Sequence, residues 1–443
     1  MTQASMAARL SISSSYLNLI ERNQRPLTAR VVMQLMSAFA FDPGELGSAQ
    51  AVGGTDGLMR RFADDRFSDL AIDRAEVDEF LSSSPQIAVA FARIYDAQGG
   101  GADADDPLTA AQREVERWRN HFADLDHAAE AMADDMRLSR GDTTVALAER
   151  LRERHQLSVR ILPREVMPDA RRRLDLHARQ VQIAEMLSPS ARAFELALQI
   201  VMLERRGDIA QMVAGTQLPE TARQYFGRHL EAYFAAALLM PYGRFLRACE
   251  ATGYDLPVLQ RRFGVSFEQL AHRLTSLQRI GQRGLPFFMA RIDRAGQYSK
   301  RFIGASDAAF LEADHACPLW CATRAFERAG ELIIQTVSTP RLDDGVSHWL
   351  CIARTTARDE GARFSVVLGL DAALAPELAQ ARGVALARDS TVAIGPGCRR
   401  CHVETCLQRS LPPIGARLAG DRATRPLAPF AFAAVAGASE PAK

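Results

Sequence analysis

The first apolar positions of the chain fall at Met6, Ala7 and Leu10, then Ile12, then Tyr16, Leu17 and Ile20. This spacing predicts two short amphipathic helices separated by a polar turn over Ser11 to Ser13. Thr28 to Phe41 continue as another helix, stopped by Asp42-Pro43-Gly44. Helical spacing resumes from Leu58 to Tyr95 with a break at Ser84-Pro85, and the Gly- and Asp-rich run from Gln98 to Pro107 reads as a linker. Residues 108–155 read as long helices. Short strands are expected at Leu157 to Leu162 and Gln180 to Ala184, on either side of the basic triplet Arg171-Arg172-Arg173. Helical periodicity returns over Ala191 to Arg205 and Arg223 to Met240. Past Pro286 the texture becomes strand-like, at Leu285 to Ile292, Leu332 to Val337, Trp349 to Arg354 and Phe364 to Leu370. The expected class is α+β, mainly α.

A chain of 443 residues with 47% apolar side chains is long enough for several domains with real cores. Its net charge of +1 gives no support to a nucleic-acid partner, and Lys300 and Lys443 are its only lysines, so the abundance of arginine reflects base composition rather than chemistry. The sequence holds neither a run of apolar residues long enough for a membrane span nor a signal pattern at its start, which predicts a cytoplasmic protein. Seven cysteines, an odd number, are better read in a reducing compartment as metal ligands or thiols than as disulfides.

The second N-terminal helix, capped by Ser13 or Ser14, presents Ser14, Ser15 and Asn18, whose short polar side chains suit base edges in a major groove. Arg22, Arg25 and Gln3 suit phosphates. Residues 1–41 hold four arginines and one glutamate, a local charge of +3. A plain helical hairpin has the same periodicity. The residues TQxxxAxxL, an isoleucine and SYLNLIERNQRP resemble the XRE-type helix-turn-helix, and the stretch ERNQRPLTAR resembles one branch of it, the short-chain fatty acyl-CoA regulator family, which includes regulators of propionate and acetate metabolism. That resemblance implies a transcription regulator that binds a double-stranded DNA operator and responds to a short-chain acyl-CoA. A homodimer is expected because paired half-sites about 34 Å apart remedy the low specificity of a single reading helix. The XRE fold has a further helix before the Thr2-Gln3 position, so a start assigned too far downstream is expected here, the other reading being a truncated domain.

Arg192 to Met202 and Phe234 to Pro241 resemble the two core helices of the ImmA/IrrE metallopeptidases. Active members carry HExxH, two histidines one turn apart on zinc with the glutamate as general base. The five positions here are Leu198, Gln199, Ile200, Val201 and Met202, and Glu231 lies near, but out of register with, the third ligand. The middle of the chain therefore reads as a degenerate peptidase domain with no catalytic residues, and a metallopeptidase is the least favoured reading.

Cys398-Arg-Arg-Cys401 places two thiols on one turn, and Cys406 can close on the same ion. The fourth ligand is Cys317 or Cys321. The resemblance, which pairs CPxW with CRxCxxxxC, favours Cys317. Zinc would make this centre a staple, whereas an iron–sulfur cluster would make it a redox or iron sensor, the alternative function for the chain. Three reduced thiols in a loop are the plain reading. Cys249 and Cys351 sit among apolar residues and read as core. For the acyl-CoA phosphates the basic stretch Phe267 to Arg301 offers Arg273, Lys300 and Arg301. The expected organisation is 1–47 truncated helix-turn-helix, 58–97 helical connector, 108–282 degenerate peptidase-like domain, 283–415 C-terminal regulator domain with the cysteine cluster, and 416–443 disordered tail.

Overall fold

The computed structural model describes residues 3–10, 12–13, 17, 31, 38–39, 54–62, 67, 70, 72–99, 106–138, 142–313, 315–340, 346–357, 363–384, 386, 391–401, 403–414, 417–418, 427–430 and 432–433. They divide into two compact units, Met1–Asp105 with Ala436–Lys443, and Asp106–Val435. No helix of the described residues is long and apolar enough to cross a membrane.

In the first unit, helix α1 (Gln3–Arg9) buries Ala7, which joins Leu10 and Leu17 in a small core, with Met6, Ile12, Ala38 and Phe39 packed around it. The Arg9 guanidinium lies 4.4 Å from the Phe39 ring centroid and donates to the Ala38 carbonyl at 2.7 Å. Gln3 lies in α1, its side chain outside the described set; Ser14, Ser15, Asn18, Arg22 and Arg25 lie outside the described residues altogether. Helices α2 (Gly54–Phe62), α3 (Arg74–Ser83) and α4 (Pro85–Gly99) bury Leu58, Val77, Ala88 and Ala92, with Phe62 and Phe91 stacked at 4.7 Å. The Asp73 carboxylate caps α3 by accepting from the Glu76 N–H.

The second unit opens with α5 (Pro107–Arg117), capped by Asp106 and carrying Pro at its first position, where no N–H is needed. Next come α6 (Ala123–Asp135) and α7 (Thr143–His155), then a three-stranded sheet in the order β1-β3-β2, from β1 (Ser158–Leu162), β2 (Arg172–Asp175) and β3 (Gln180–Ala184). β1 and β3 are parallel; β2 runs antiparallel on the other edge. Six helices follow: α8 (Pro189–Glu204), α9 (Arg206–Ala214), α10 (Glu220–Leu239), α11 (Tyr242–Thr252), α12 (Leu256–Phe263) and α13 (Phe267–Thr275). The Phe234 to Met240 run is buried, and a capping box of Ser266 and Gln269 starts α13.

A six-stranded sheet completes the unit, in the order β5-β4-β8-β7-β6-β9, built from β4 (Phe288–Ile292), β5 (Tyr298–Phe302), β6 (Ile333–Pro340), β7 (Val346–Ala357), β8 (Arg363–Asp371) and β9 (Val392–Ala393). Its neighbours are antiparallel except β6 and β9. The period of two separates its faces. Met289, Leu350, Ile352, Val366, Leu368 and Leu370 join the helical core, while Phe288, Ala290, Ile292, Trp349, Cys351, Ala353 and Val367 form a second core with Trp320. Phe288 pairs with Gly369 across the ladder, and a Cβ at Gly369 would fall 2.2 Å from the Phe288 ring, so only glycine admits it. Within the stretch expected to be a disordered tail, β10 (Arg417–Leu418) pairs antiparallel with β11 (Phe432–Ala433).

Candidate functional site

Two chemically distinct places stand out in the second unit. The first is a cavity of about 520 Å³. α5 contributes Leu108, Ala111, Gln112 and Val115; α8 contributes Phe194 and Glu195; α10 contributes Arg228, His229, Ala232 and Ala236; α13 contributes Glu268 and His272; β5 contributes Lys300 and Phe302. Arg171, ahead of β2, completes the cationic set and binds Glu195 through Nε at 2.9 Å. Lys300 reaches Glu268 at 2.7 Å, and Arg291 shares the same carboxylate oxygen at 2.7 Å. Arg228 has no carboxylate within ion-pair range among the described residues.

His229 and His272 meet edge to face at 5.6 Å, with the Phe302 ring 4.5 Å from His272. The Nε2 of His229 is 3.0 Å from the Asn120 side-chain oxygen, whereas Nε2 of His272 is buried without a hydrogen-bond partner among the described residues. Burial, with Lys300 nearby, pushes His229 down to about 3; burial, then His229, Lys300 and Arg273, hold His272 well below its ordinary value. Both rings are therefore neutral at pH 7 and offer the cavity hydrogen-bonding nitrogens rather than charge.

The three cations expected to contact phosphates have different fates. Lys300 lines the cavity. Arg273 is 1% exposed, with its guanidinium 2.6 Å from Asp126 and its Nε donating to the Met240 carbonyl, so it is committed to the core and unsuited to a soluble anion. Arg301 donates to the Leu311 and Ala313 carbonyls and is not among the residues that line the cavity. Burial pushes the Asp126 carboxyl up, but Arg273, His121 and Tyr233 outweigh it and hold it below the usual carboxylate range. Sequence reasoning missed Arg228 and His229 as cavity residues. The basic triplet pointed to Arg171 only as a charged run, and His272 lies in the basic stretch Phe267 to Arg301 without having been singled out as a contact.

Where an active peptidase would carry its two zinc-binding histidines, α8 has Leu198, partly buried, and Met202, exposed; Gln199, Ile200 and Val201 between them are buried. The Arg172 guanidinium lies 3.1 Å from the Met202 sulfur and donates to the Glu195 carbonyl.

The second place is a small cavity of about 10 Å³ lined by Cys317, Cys398, Cys401 and Cys406 together with Gly395, Gly397 and Arg409. Cys321 is not among them. It lies in the second core against Cys351, its N–H bonded to the Gln335 side chain at 2.6 Å. Burial pushes the Cys317 thiol up, and the N–H groups of Gly395 and Leu319, which hydrogen-bond to it, pull it back. A Cβ at Gly395 would meet the Cys401 sulfur at 2.3 Å, so glycine there makes the room in which that sulfur sits. Gly397, at φ +83, lets the chain turn into Cys398. Four thiols with N–H donors aimed at one of them fit a thiophilic metal ion or an iron–sulfur cluster. Among the described residues no group of three or more His, Cys, Asp and Glu side chains is placed as metal ligands are.

Residues 276–430 match the family profile described as short-chain fatty acyl coenzyme A regulator, C-terminal, and residues 152–275 match the IrrE N-terminal-like domain. The HTH-type transcriptional regulator PrpR of Mycobacterium tuberculosis is 34% identical over 95% of this chain and 90% of its own length. The regulator RamB of the same organism is 34% identical over 97% and 95%, and the propionyl-CoA carboxylase regulator of Cereibacter sphaeroides is 33% identical over 97% and 95%. A solved Mycobacterium tuberculosis transcriptional regulator superposes with a TM-score of 0.69 at 35% identity, covering 74% of this chain and 99% of that one. The chain belongs to the short-chain fatty acyl coenzyme A regulator family.

Proposed function

We propose that this chain is a cytoplasmic transcriptional regulator of short-chain acyl-CoA metabolism that binds operator DNA as a homodimer. Its effector, an acyl-CoA thioester, occupies the cavity of the second unit. The observation that carries this reading is the composition of that cavity: Arg171, Arg228 and Lys300 for the phosphates beside Val115, Phe194, Ala232 and Phe302 for apolar groups, in a volume of about 520 Å³ that suits a small ligand. Arg273 and Arg301 have no part in it. The name of the Cereibacter sphaeroides relative, propionyl-CoA carboxylase regulator, points to regulation of propionyl-CoA-linked genes. α5 supplies one wall of the cavity and follows directly on the linker from the N-terminal unit, so a ligand that shifts α5 has a covalent route to the DNA-binding segment. The absence of histidine at Leu198 and Met202 supports a role without hydrolysis.

The test is a titration with propionyl-CoA and acetyl-CoA, read by calorimetry and by the anisotropy of a labelled operator fragment. Saturable binding that changes operator affinity is expected, and Ala232→Trp, which fills the cavity, should abolish it with the fold intact. Binding untouched by that substitution would place the effector elsewhere.

The four cysteines that line the small cavity support a second component, a zinc ion or an iron–sulfur cluster held by Cys317, Cys398, Cys401 and Cys406. Zinc would lock the loop; a cluster would make operator affinity respond to iron or oxidation. Metal analysis with the visible spectrum of anaerobically purified protein decides. Neither metal near one centre per chain would overturn this component.

A further inference from the structure

Arg409 is buried at 3% exposure beside the four cysteines. Its Nη1 donates to the carbonyls of Cys398 at 3.0 Å and Leu411 at 3.4 Å, and its Nη2 to those of Cys401 at 2.9 Å and Val403 at 2.8 Å. The Phe432 ring lies 4.8 Å from the guanidinium carbon. Its Nε is buried with no partner, and no carboxylate stands within ion-pair range among the described residues. A guanidinium cannot shed its proton, and burying a charge costs several kcal/mol unless an opposite charge or several dipoles offset it. Carbonyl dipoles supply part of that compensation here, and no acid supplies the rest. The remaining candidates at this place are the sulfurs of Cys317, Cys398, Cys401 and Cys406.

We propose that Arg409 is a positioning residue that clamps the cysteine loop through four carbonyls and supplies the buried countercharge of an anionic metal–thiolate centre. This rests on the reading of the four cysteines as metal ligands. Four thiolates on a divalent ion leave two net negative charges, and a buried cation beside them halves that excess. The carbonyls it holds include those of Cys398 and Cys401, so one side chain fixes the backbone of two ligands and offsets the charge of all four. Leu407 and Ile414 in the same segment are exposed, so apolar packing does little to hold this loop. The guanidinium does it instead.

The experiment compares the full-length wild-type chain with Arg409→Met, Arg409→Gln and Arg409→Lys. Metal per chain, the visible spectrum and the rate of metal transfer to a chromogenic chelator are measured, with circular dichroism to confirm the fold. Arg409→Met should release metal at least roughly tenfold faster than wild type, the scale on which outer-shell partners act. Arg409→Lys, which keeps charge but cannot reach four carbonyls, should recover part of that loss. If Arg409→Met fails to fold, Arg409→Gln against Arg409→Lys makes the same comparison. Unchanged release in the neutral variants would overturn the proposal. Equal impairment of Lys and the neutral variants would overturn the countercharge and leave a loop clamp alone. A wild-type chain without metal would instead sink the ligand reading on which the inference stands.

Discussion

Arg273 and Arg409 are both almost wholly buried, and their surroundings differ in kind. Arg273 sits in the helical core with Asp126 at 2.6 Å, Tyr233 donating to the same carboxylate at 2.7 Å, and two tyrosine rings within 5.7 Å of its guanidinium carbon. Its charge is balanced inside the protein, and the network joins α13 to α6 and α10. Arg409 has carbonyls and a phenylalanine ring, with no acid among the described residues. The first is a finished structural pair; the second is half of one. A buried cation without an anion marks a place where an anion is expected, and the basic-patch reading of the sequence singled out the arginine that is finished rather than the one that is not.

The sharpest way to test that difference is to remove each cation in metal-free protein. Arg273→Met leaves the Asp126 carboxylate buried without its guanidinium, with only Tyr233 and His121 beside it, so the Asp106–Val435 unit should lose about 3–5 kcal/mol in denaturant unfolding. Arg409→Met leaves only carbonyls unpaired and should cost about 1–3 kcal/mol. With metal bound, the second loss should grow while the first stays fixed. Equal losses in the metal-free chain would erase the distinction.

Much of the fold was legible because long helices carry their own periodicity. α8 and α10 lie within three residues of where their apolar spacing put them, and β3 coincides with its predicted span. β2 and β5 were not legible. Their sequences, RRLD and YSKRF, are edge strands with few apolar side chains, so no alternation announces them. The cavity was hidden for the same reason that Arg273 was misread: its residues come from six helices and strands spread from Leu108 to Thr356, and Asp126 is 147 residues from Arg273. The cysteine loop was legible at short range, from CxxC and Cys406. The choice of Cys317 over Cys321 came from the family pattern, since spacing alone did not separate them; in the structure Cys321 belongs to the second core.

Gly395→Ala should act only on the unfinished side of the comparison. The added Cβ would lie 2.3 Å from the Cys401 sulfur, and displacing that sulfur should cost about 1–3 kcal/mol of local strain and lower the metal content per chain. The Arg273 network should be untouched, so Arg273→Met should cost the same in this variant as in wild type. Wild-type metal content in this variant would show that Cys401 is not a ligand.

A change of pH, which removes no atom, also separates the Arg273 pair from the cavity. His229 and His272 have depressed values in the folded chain, so the unfolded chain binds protons first as pH falls below about 6.5. Their contribution to stability is present above that pH and is lost on acidification toward about 3, where burial holds His229. The slope is at most about 1.4 kcal/mol per pH unit for each histidine. Asp126 is also depressed, but its ordinary value is 3.8, so the Arg273 pair keeps its full contribution until pH falls below about that point. Urea unfolding at intervals between pH 7 and 4 should therefore show a decline that His272→Leu flattens and Asp126→Asn leaves unchanged in slope. A decline untouched by His272→Leu would mean that this ring is not held neutral by the cavity wall.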